Sequence, residues 1–512
     1  MKQSTAWVLG GTALLLAACG GSDSSDTQYD NSGARGSLVM NPPLQVAALD
    51  AAQFQARLSP SLLQLAGTPQ CGVDFRTIEY GTVGGAGEQT NATGALMVPT
   101  GSAPGCSGPR PVVLYAHGTS EEKTYNISNI TDPSRPGATE GLLLGAMYAA
   151  QGFIVVAPNY AGYDASRLGY HPYLNADQSA KEMVDALSAA RKALPRIGAS
   201  QDSGQLLLTG YSQGGHVTMA TQRALQAAGQ KVTAAAPMSG PYALSSMGDQ
   251  MFFGNVSLAA TLFVPMLMTS YQKAYGNLYR QPSEVYTAPY AAKMESLLPG
   301  TGSLETLIAQ GTLPQALFSS TAPAPEFAAI TPPTEPADMA PLFALGFGSN
   351  HLLNNTTRLA YLQDALAHPD GAHYTGGNVM PPANPQNPLR QALKRNDLRG
   401  WQPQRPTLLC AGSGDPTVPY RPNTRLMEQL WSIPSPHALP PGVLTVLDVD
   451  SAPSGASDPF AAAKAGFAQA KAQAAQAGGA STVLRVYHRE LVPPFCNAAA
   501  RGFFRQVLAS GG

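Results

Sequence analysis

A serine between two closely spaced glycines is the residue of this 512-residue sequence whose surroundings best fit covalent chemistry. The pattern G-x-S-x-G occupies residues 210–214, after an apolar run at 206–208 and before helix-like spacing at 217–220. A sharp turn between a strand and a helix strains the backbone of the serine and exposes its hydroxyl. The flanking positions must be glycine, because a Cβ there would clash with the crossing strand and helix. Ser212 is therefore a candidate nucleophile, and the N–H of Gln213 points at the oxygen of the group it attacks.

The segments around this turn alternate between strands and helices. Apolar runs at residues 111–116, 153–158 and 232–240 predict buried strands, and residues 180–194 have helical spacing of apolar side chains. Residues 75–80 and 94–99 flank a glycine-rich turn, which predicts an N-terminal antiparallel meander. This order predicts an α/β fold built on a mostly parallel, doubly wound sheet.

These patterns resemble the α/β-hydrolase superfamily, and the chain length is similar to that of secretory lipases and capped bacterial lipoprotein esterases. In that family a strand followed by His-Gly forms the oxyanion loop, which implies that the N–H of Thr119 acts beside that of Gln213. His117 is then expected to hold this loop by a hydrogen bond. The run G-x-x-D-x-x-V-P at residues 412–419 resembles the acid loop of the family and implies Asp415 as the acid.

His488 is the candidate base. Residues 482–487 predict a strand that ends at His488, a place that resembles that of the terminal histidine of the family. Ser212, Asp415 and His488 stand in the order of this fold, and each follows a predicted strand, so all three should meet at one sheet edge. His437 also follows Asp415, but it lies between a helix and the next strand, which is the opposite edge.

Residues 241–400 interrupt the strand pattern. Helices are expected at residues 252–275, 304–318 and 357–366, with proline-rich links, and the insertion resembles the helical cap of secretory lipases. It carries a stripe of tyrosine and methionine that forms either the core of the cap or a lining for an apolar substrate. The stripe consists of Met266, Met268, Tyr271, Tyr275, Tyr279, Tyr286 and Tyr290.

The amino terminus predicts export. Residues 1–19 combine Lys2 with a short apolar stretch, and residues 16–19 resemble a bacterial lipobox, which implies lipidation of Cys19. An ordinary signal peptide with a nearby cysteine is the alternative, and the apolar run is too short to span a bilayer. Residues 20–37 are expected to form a flexible tether. Residues 38–240 and 401–512 then form the two parts of the hydrolase core around the cap.

The remaining cysteines are even in number. Without Cys19 there are four, in an oxidising compartment, and three pairings are possible. Cys71 and Cys106 flank the predicted meander, whereas Cys410 and Cys496 lie close in sequence to the predicted acid and base. We therefore expect the disulfides Cys71–Cys106 and Cys410–Cys496.

Composition limits the function further. The net charge is −1 and only 12% of residues are charged, which gives nucleic-acid binding no electrostatic basis. Cysteine and histidine spacing does not match a zinc site, and a serine hydrolase requires no metal or cofactor.

The sequence as a whole predicts an exported hydrolase of small-molecule or lipid-like carboxylic esters. A peptidase or thioesterase on the same fold, or a catalytically inactive binding module, is the alternative. The expected location is the bacterial cell envelope, as an outer-membrane lipoprotein held by its lipid, with a periplasmic or secreted protein as the alternative.

Overall fold

A computed structural model describes residues 27–373, 379–432, 436–455 and 457–511. The expected signal peptide, Cys19 and the first part of the expected tether lie outside the described residues. The strands are β1 (Gln28–Tyr29), β2 (Met40–Asn41), β3 (Leu44–Leu49), β4 (Gly72–Val83), β5 (Gln89–Thr100), β6 (Gly108–Ala116), β7 (Ile154–Pro158), β8 (Ser200–Tyr211), β9 (Ala234–Met238), β10 (Phe318–Ser319), β11 (Phe347–Gly348), β12 (Thr407–Ala411) and β13 (Leu444–Asp448).

The α-helices are α1 (Ala51–Gln55), α2 (Pro60–Ala66), α3 (Ala138–Met147), α4 (Ala176–Ala193), α5 (Gln213–Ala227), α6 (Leu244–Phe252), α7 (Ala260–Tyr275), α8 (Ala288–Ala291), α9 (Met294–Leu297), α10 (Leu304–Ala309), α11 (Ala340–Ala344), α12 (Asn355–Ala367), α13 (Pro388–Asn396), α14 (Leu426–Trp431), α15 (Ala461–Val486) and α16 (Val492–Ala509). Turns of π-helix at Arg421–Arg425 and Tyr487–Leu491 lead into α14 and α16. No helix in the described part of the chain is both long and apolar enough to span a bilayer.

The main sheet has nine strands among the described residues, in the order β13-β12-β9-β8-β6-β7-β5-β4-β3. From β13 to β7 the neighbours pair parallel, and from β7 to β3 they pair antiparallel. The central strands β7 and β9 are buried along their whole length, as expected where helices cover both faces. The expected parallel sheet with an antiparallel meander is therefore confirmed, and β3 extends the meander by an edge strand that the sequence analysis missed.

Helices cover both faces of this sheet. On one face α4 packs against α5, β4 and β7, and α5 packs against β8 and β9. On the other face α16 packs against β8, β9, β12, α3 and α15. The carboxyl ends of β6, β8 and β12 lie at one edge, where such folds place their ligands.

The expected tether ends earlier than residue 37. Strand β1 pairs with β2, and the N–H of Gly36 donates to the carbonyl oxygen of Gly81 at 2.9 Å. Arg35 pairs with the buried carboxylate of Asp185 at 3.0 Å, and Ser37 is buried. Because these contacts fix the chain on β4 and α4, residues 28–37 belong to the folded core.

The expected strand at residues 482–487 is wrong. These residues continue α15 beyond a kink at Gly478 and Gly479, where the backbone is not helical. Val483, Val486 and Tyr487 pack against the core. Residues three and four positions apart lie on one face of a helix, whereas a strand would place every second residue on one face. The β-branched residues of this stretch favoured strand, and helical packing overrode that preference.

Residues 241–400 form a mostly helical segment with its own apolar core. Helices α6 to α13 lie here, joined by the two-residue parallel pair β10 and β11. The expected helix at 252–275 begins only at Ala260, as α7, because α6 ends at Phe252, and the one expected at 304–318 is shortened to α10. The apolar side chains of this segment make a cluster separate from the one that surrounds the main sheet.

Both expected disulfides are present. Cys71 is bonded to Cys106, which joins the start of β4 to the segment before β6. Cys410 in β12 is bonded to Cys496 in α16, at a sequence separation of 86. This second disulfide ties the last helix to the strand that precedes Asp415.

We expect the pair Cys410→Ala and Cys496→Ala to lower the free energy of unfolding by about 2–4 kcal/mol, because the unfolded chain loses a constraint on a long loop. Urea unfolding measures this. The matched pair Cys71→Ala and Cys106→Ala removes a loop of 35 residues and should cost slightly less. An unchanged unfolding midpoint in the first pair would show that α16 is held without its disulfide.

Candidate active site

Ser212 sits at a strained turn between β8 and α5. Its φ is 59° and its ψ is −121°, a conformation that costs a non-glycine residue about 1–3 kcal/mol. The turn is held from both sides, because the N–H of Ser212 donates to the carbonyl oxygen of Met238 at 2.9 Å and Gly215 donates back to the carbonyl oxygen of Ser212 at 2.8 Å. The strain places the hydroxyl at the carboxyl edge of the sheet.

The two glycines of the motif are required by close packing. A Cβ on Gly210 or on Gly214 would overlap the carbonyl oxygen of Ala116, the last residue of β6. The turn therefore approaches the neighbouring strand more closely than any side chain would permit. This contact also brings the segment after β6, which contains Thr119, beside Ser212.

Ser212, His488 and Asp415 form a hydrogen-bonded series. Nε2 of His488 lies 2.7 Å from Oγ of Ser212, and Nδ1 lies 2.6 Å from Oδ2 of Asp415. The other carboxylate oxygen of Asp415 accepts from the N–H groups of Thr417 at 2.8 Å and Val418 at 3.0 Å. Since an ionised carboxylate only accepts, Nδ1 of His488 carries the proton and Nε2 is free to accept from the serine hydroxyl.

Two tyrosines without a predicted role hold His488 in place. The hydroxyl of Tyr211 donates to the carbonyl oxygen of His488 at 2.6 Å. The hydroxyl of Tyr487 donates to Asp450 at 2.6 Å and accepts from the N–H of Gly414 at 3.0 Å, so it joins the π-helical turn to the acid loop. Tyr211 lies inside the serine motif, where it could have been noticed. The neighbours of Tyr487 in sequence give no such signal.

The N–H groups of Thr119 and Gln213 are free to bind an oxyanion. Within the described residues neither donates a hydrogen bond to another group. Gly118 lies against Ser212, since a Cβ built on it would be 3.6 Å from the serine Cβ. The hydroxyl of Thr119 is fixed by that of Tyr173 at 2.9 Å. The residues expected to form the oxyanion hole therefore border Ser212.

His171 supports the second of these donors. The side-chain N–H of Gln213 donates to Nε2 of His171 at 2.6 Å, and Nδ1 of His171 donates to the carbonyl oxygen of Ala161 at 2.9 Å. Burial lowers the pKa of His171 to about 3, so the ring is neutral and can accept at Nε2. From the sequence, the loop with His171 and Tyr173 is expected to be structural only, because nothing in sequence relates it to the serine motif.

His117 has a supporting position. Its ring lies between those of Tyr125 and Tyr160, with centroid distances of 4.3 and 4.1 Å, and its nitrogens face the carbonyl oxygens of Gly118 and Asn159. Burial lowers the pKa of His117 to about 4. The expected hydrogen bond to its own loop is present, and the ring does not contact Ser212.

Two cavities border Ser212. The large cavity, of 1160 Å³, is lined by the oxyanion loop, by the π-helical turn that carries His488, and by side chains of residues 241–400 such as Leu258 and Leu342. The small cavity, of 70 Å³, is lined mainly by apolar side chains of α6, α7 and α13. The segment 241–400 thus lies over Ser212. None of the residues of the tyrosine and methionine stripe lines either cavity; Tyr275 packs at the edge of the segment's apolar core and the others are buried in it.

The described residues contain no group of three or more histidine, cysteine, aspartate or glutamate side chains arranged to hold a metal ion.

No protein-family model and no curated protein matches the sequence. Among solved structures, the chain is similar to the rice cell wall degrading esterase LipA of Xanthomonas oryzae, with 28% identity over 90% of this chain and 99% of that chain and a TM-score of 0.62. A ligand-bound form of LipA gives 27% identity, coverage of 89% and 98%, and the same TM-score. The chain has the α/β-hydrolase fold.

A structure from Legionella pneumophila has a similar α/β-hydrolase fold. It is 18% identical over 92% of this chain and 98% of that chain, with a TM-score of 0.59, and this likeness concerns the fold alone. The α/β-hydrolase fold expected from the serine motif is therefore confirmed.

The buried histidines of this α/β hydrolase make its stability sensitive to acid. Burial lowers the pKa of His117 and His216 to about 4 and that of His171 to about 3, against about 6.5 in an unfolded chain. Each of these rings is neutral in the folded chain. Below pH ~6.5 the unfolded chain binds a proton at the same ring, which favours unfolding. The contribution of each ring to the free energy of unfolding is therefore complete above pH ~6.5 and is lost as the pH falls towards about 4. Glu182 and Glu140, whose pKa values burial raises, act in the opposite sense.

We expect the free energy of unfolding to fall by about 1–3 kcal/mol per pH unit between about pH 6.5 and 5. Urea unfolding at stepwise pH measures this slope. His216→Gln should reduce the slope by about 1.4 kcal/mol per pH unit, because it removes one of the three buried rings that resist protonation. An equal slope in the His216→Gln protein would mean that this ring is protonated in the fold.

Proposed function

We propose that the chain is a serine hydrolase of carboxylic esters that works through a covalent acyl-enzyme. The observation that carries the proposal is the series from Ser212 through His488 to Asp415, with hydrogen bonds of 2.7 and 2.6 Å. Ester hydrolysis is also supported by the likeness to LipA, an esterase, over nearly the whole of both chains.

The proposed reaction uses the same groups in both half-cycles. Nε2 of His488 takes the proton of Ser212 as Oγ attacks the ester carbonyl, and the carbonyl oxygen becomes an anion held by the N–H groups of Thr119 and Gln213. The bond to the alcohol oxygen then breaks, and His488 gives that oxygen its proton. Water, deprotonated by His488, releases the acid and restores Ser212. Asp415 stays ionised and stabilises the imidazolium.

The neutral supporting histidine matters to this mechanism. Gln213 both donates from its backbone and reaches His171 through its side chain at 2.6 Å. A charged imidazole at His171 would carry an N–H at Nε2, facing the side-chain N–H of Gln213. The two donors would repel each other, and the hydrogen bond would be lost. The low pKa of His171, caused by burial, keeps the acceptor available at neutral and mildly acidic pH.

The first test is covalent labelling. A fluorophosphonate probe should modify Ser212, and p-nitrophenyl acetate should be hydrolysed by the unmodified protein but not by Ser212→Ala. Removal of a triad member typically lowers turnover by about 10⁴–10⁶-fold. Full activity in Ser212→Ala would end the proposal, and a protein that is neither labelled nor active would favour a binding module.

The second test separates the two histidines that follow Asp415. His488→Ala should lower kcat by about 10³-fold or more, because the proton of Ser212 then has no acceptor. His437→Ala is the matched control and should keep the activity of the unmodified protein. Circular dichroism of both variants verifies their folding. If His437→Ala were the inactive one, the assignment of the base would be wrong.

We further propose that the protein is exported and held in the cell envelope by a lipid on Cys19. The two disulfides support an oxidising compartment, and residues 16–19 resemble a lipobox. Membrane contact would then come from the lipid, with the outer membrane as the expected site.

The anchor is tested in a Gram-negative host. The full-length protein should sediment with membranes and be released by detergent. Cys19→Ser should appear in the soluble envelope fraction, because the substitution removes the thiol that would carry the lipid. Cys71→Ser serves as a control for the loss of a cysteine that is not expected to carry lipid. Membrane retention of Cys19→Ser would mean that something else anchors the chain.

A further inference from the structure

The two cavities that meet at Ser212 differ in the groups around them. His488 and Thr119 line the large cavity and not the small one, whereas Gln213 lines the small cavity and not the large one. Phe263 lines both and forms the wall between them. The serine hydroxyl therefore lies at a junction between two separate spaces, and each substituent of the attacked carbon must enter one of them.

The positions of the proton donor and of the oxyanion donors decide which substituent goes where. The alcohol oxygen must face Nε2 of His488, because that nitrogen protonates it, so the alcohol extends into the large cavity. The oxyanion occupies the space between the N–H groups of Thr119 and Gln213. The third substituent of the attacked carbon is the acyl chain. Its path runs past Gln213 and leads into the small cavity.

The small cavity accepts only a short chain. Its volume of 70 Å³ is about half that of a ~150 Å³ protein cavity that holds the six carbons of benzene. Apolar side chains line it beyond Ser212. They include Leu244, Met247, Met251, Phe252, Leu267 and Leu393. Because these side chains cannot form hydrogen bonds, a charged or hydroxylated acyl chain would lose its water without compensation.

We propose, building on the ester hydrolase function above, that the small cavity is an acyl pocket restricting the substrate to unbranched apolar acyl groups of about two to four carbons. The bulk of the substrate is then in its alcohol, since the large cavity offers 1160 Å³. The enzyme is a deacylase of short acyl groups carried by large alcohols, rather than a lipase of long-chain fatty acids.

An isomeric pair of esters tests the orientation on the unmodified enzyme. Phenethyl acetate and methyl 3-phenylpropanoate have the same atoms, but the first carries the ring on its alcohol and the second on its acyl group. The acetate should have a kcat/KM at least about 10-fold higher, since even one methylene too many in an apolar pocket costs that much. Equal or faster cleavage of methyl 3-phenylpropanoate would overturn the proposal.

Chain length and pocket variants give the second arm. Among p-nitrophenyl acetate, butanoate and octanoate, the octanoate should have a kcat/KM at least about 10-fold below the butanoate. Met251→Ala should enlarge the pocket and raise octanoate relative to butanoate, and Leu267→Phe should fill it and favour the acetate. Leu345→Ala, at an exposed residue lining the large cavity, is the matched control and should leave this order unchanged.

The outcomes separate the two proposals. Hydrolysis that depends on Ser212 but prefers octanoate would overturn the acyl pocket and leave the ester hydrolase intact. Absence of labelling and of hydrolysis with every ester would remove the ester hydrolase and the pocket assignment with it. Where a variant fails to fold, the isomeric pair still decides, because it uses the unmodified enzyme.

Discussion

The hydrogen bond between His488 and Asp415 is the contact on which the proposed chemistry depends, because it joins two segments that no strand pairing holds together. Asp415 follows β12 inside the main sheet, but His488 lies in a π-helical turn between two helices. The base therefore has no ladder of backbone hydrogen bonds to fix its height above the sheet. Its position has to be set by contacts from several directions.

Three such contacts are present. Cys496 ties α16 to β12, the hydroxyl of Tyr487 reaches the N–H of Gly414, and that of Tyr211 binds the carbonyl oxygen of His488. Each constrains a different part of the turn, so the imidazole is positioned by its surroundings rather than by its own bond to Asp415. This arrangement suits a base that must remain in place while its charge changes during each turnover.

The strained backbone at Ser212 is maintained in the same way. A positive φ at a serine costs about 1–3 kcal/mol and persists only where neighbours determine it. Here the neighbours are the carbonyl oxygens of Met238 and Ala116, one accepting a hydrogen bond and the other excluding any Cβ at the flanking glycines. The two glycines of G-x-S-x-G are the residues that this packing requires, which is why a motif of five residues could predict the turn.

The limits of the sequence analysis follow from the same physics. The serine turn, the acid loop and the parallel sheet depend on local patterns, and each could be predicted from residues close together in the chain. Residues 482–487 could not, because their β-branched composition favours strand while the helix is stabilised by core contacts far away in sequence. His488 could still be proposed as the base from its place after Asp415, although the element that carries it differs. His171 and Tyr173 were missed because only the folded chain brings their loop behind Gln213 and Thr119.

The division of apolar cores explains how chemistry and selectivity can be separate in this chain. Ser212, Asp415 and His488 are positioned by the main sheet and its helices, whereas the walls of the small cavity come largely from residues 241–400, which have a core of their own. A substitution at Met251 or Leu267 alters packing within that second core and leaves the contacts of the first unchanged. Effects of residues that are distant and share no partners are nearly additive. Changes at Met251 or Leu267 should therefore combine as independent factors in kcat/KM with a change at Tyr487, which lies in the first core and does not line the small cavity, but not with a change at Gln213, which does.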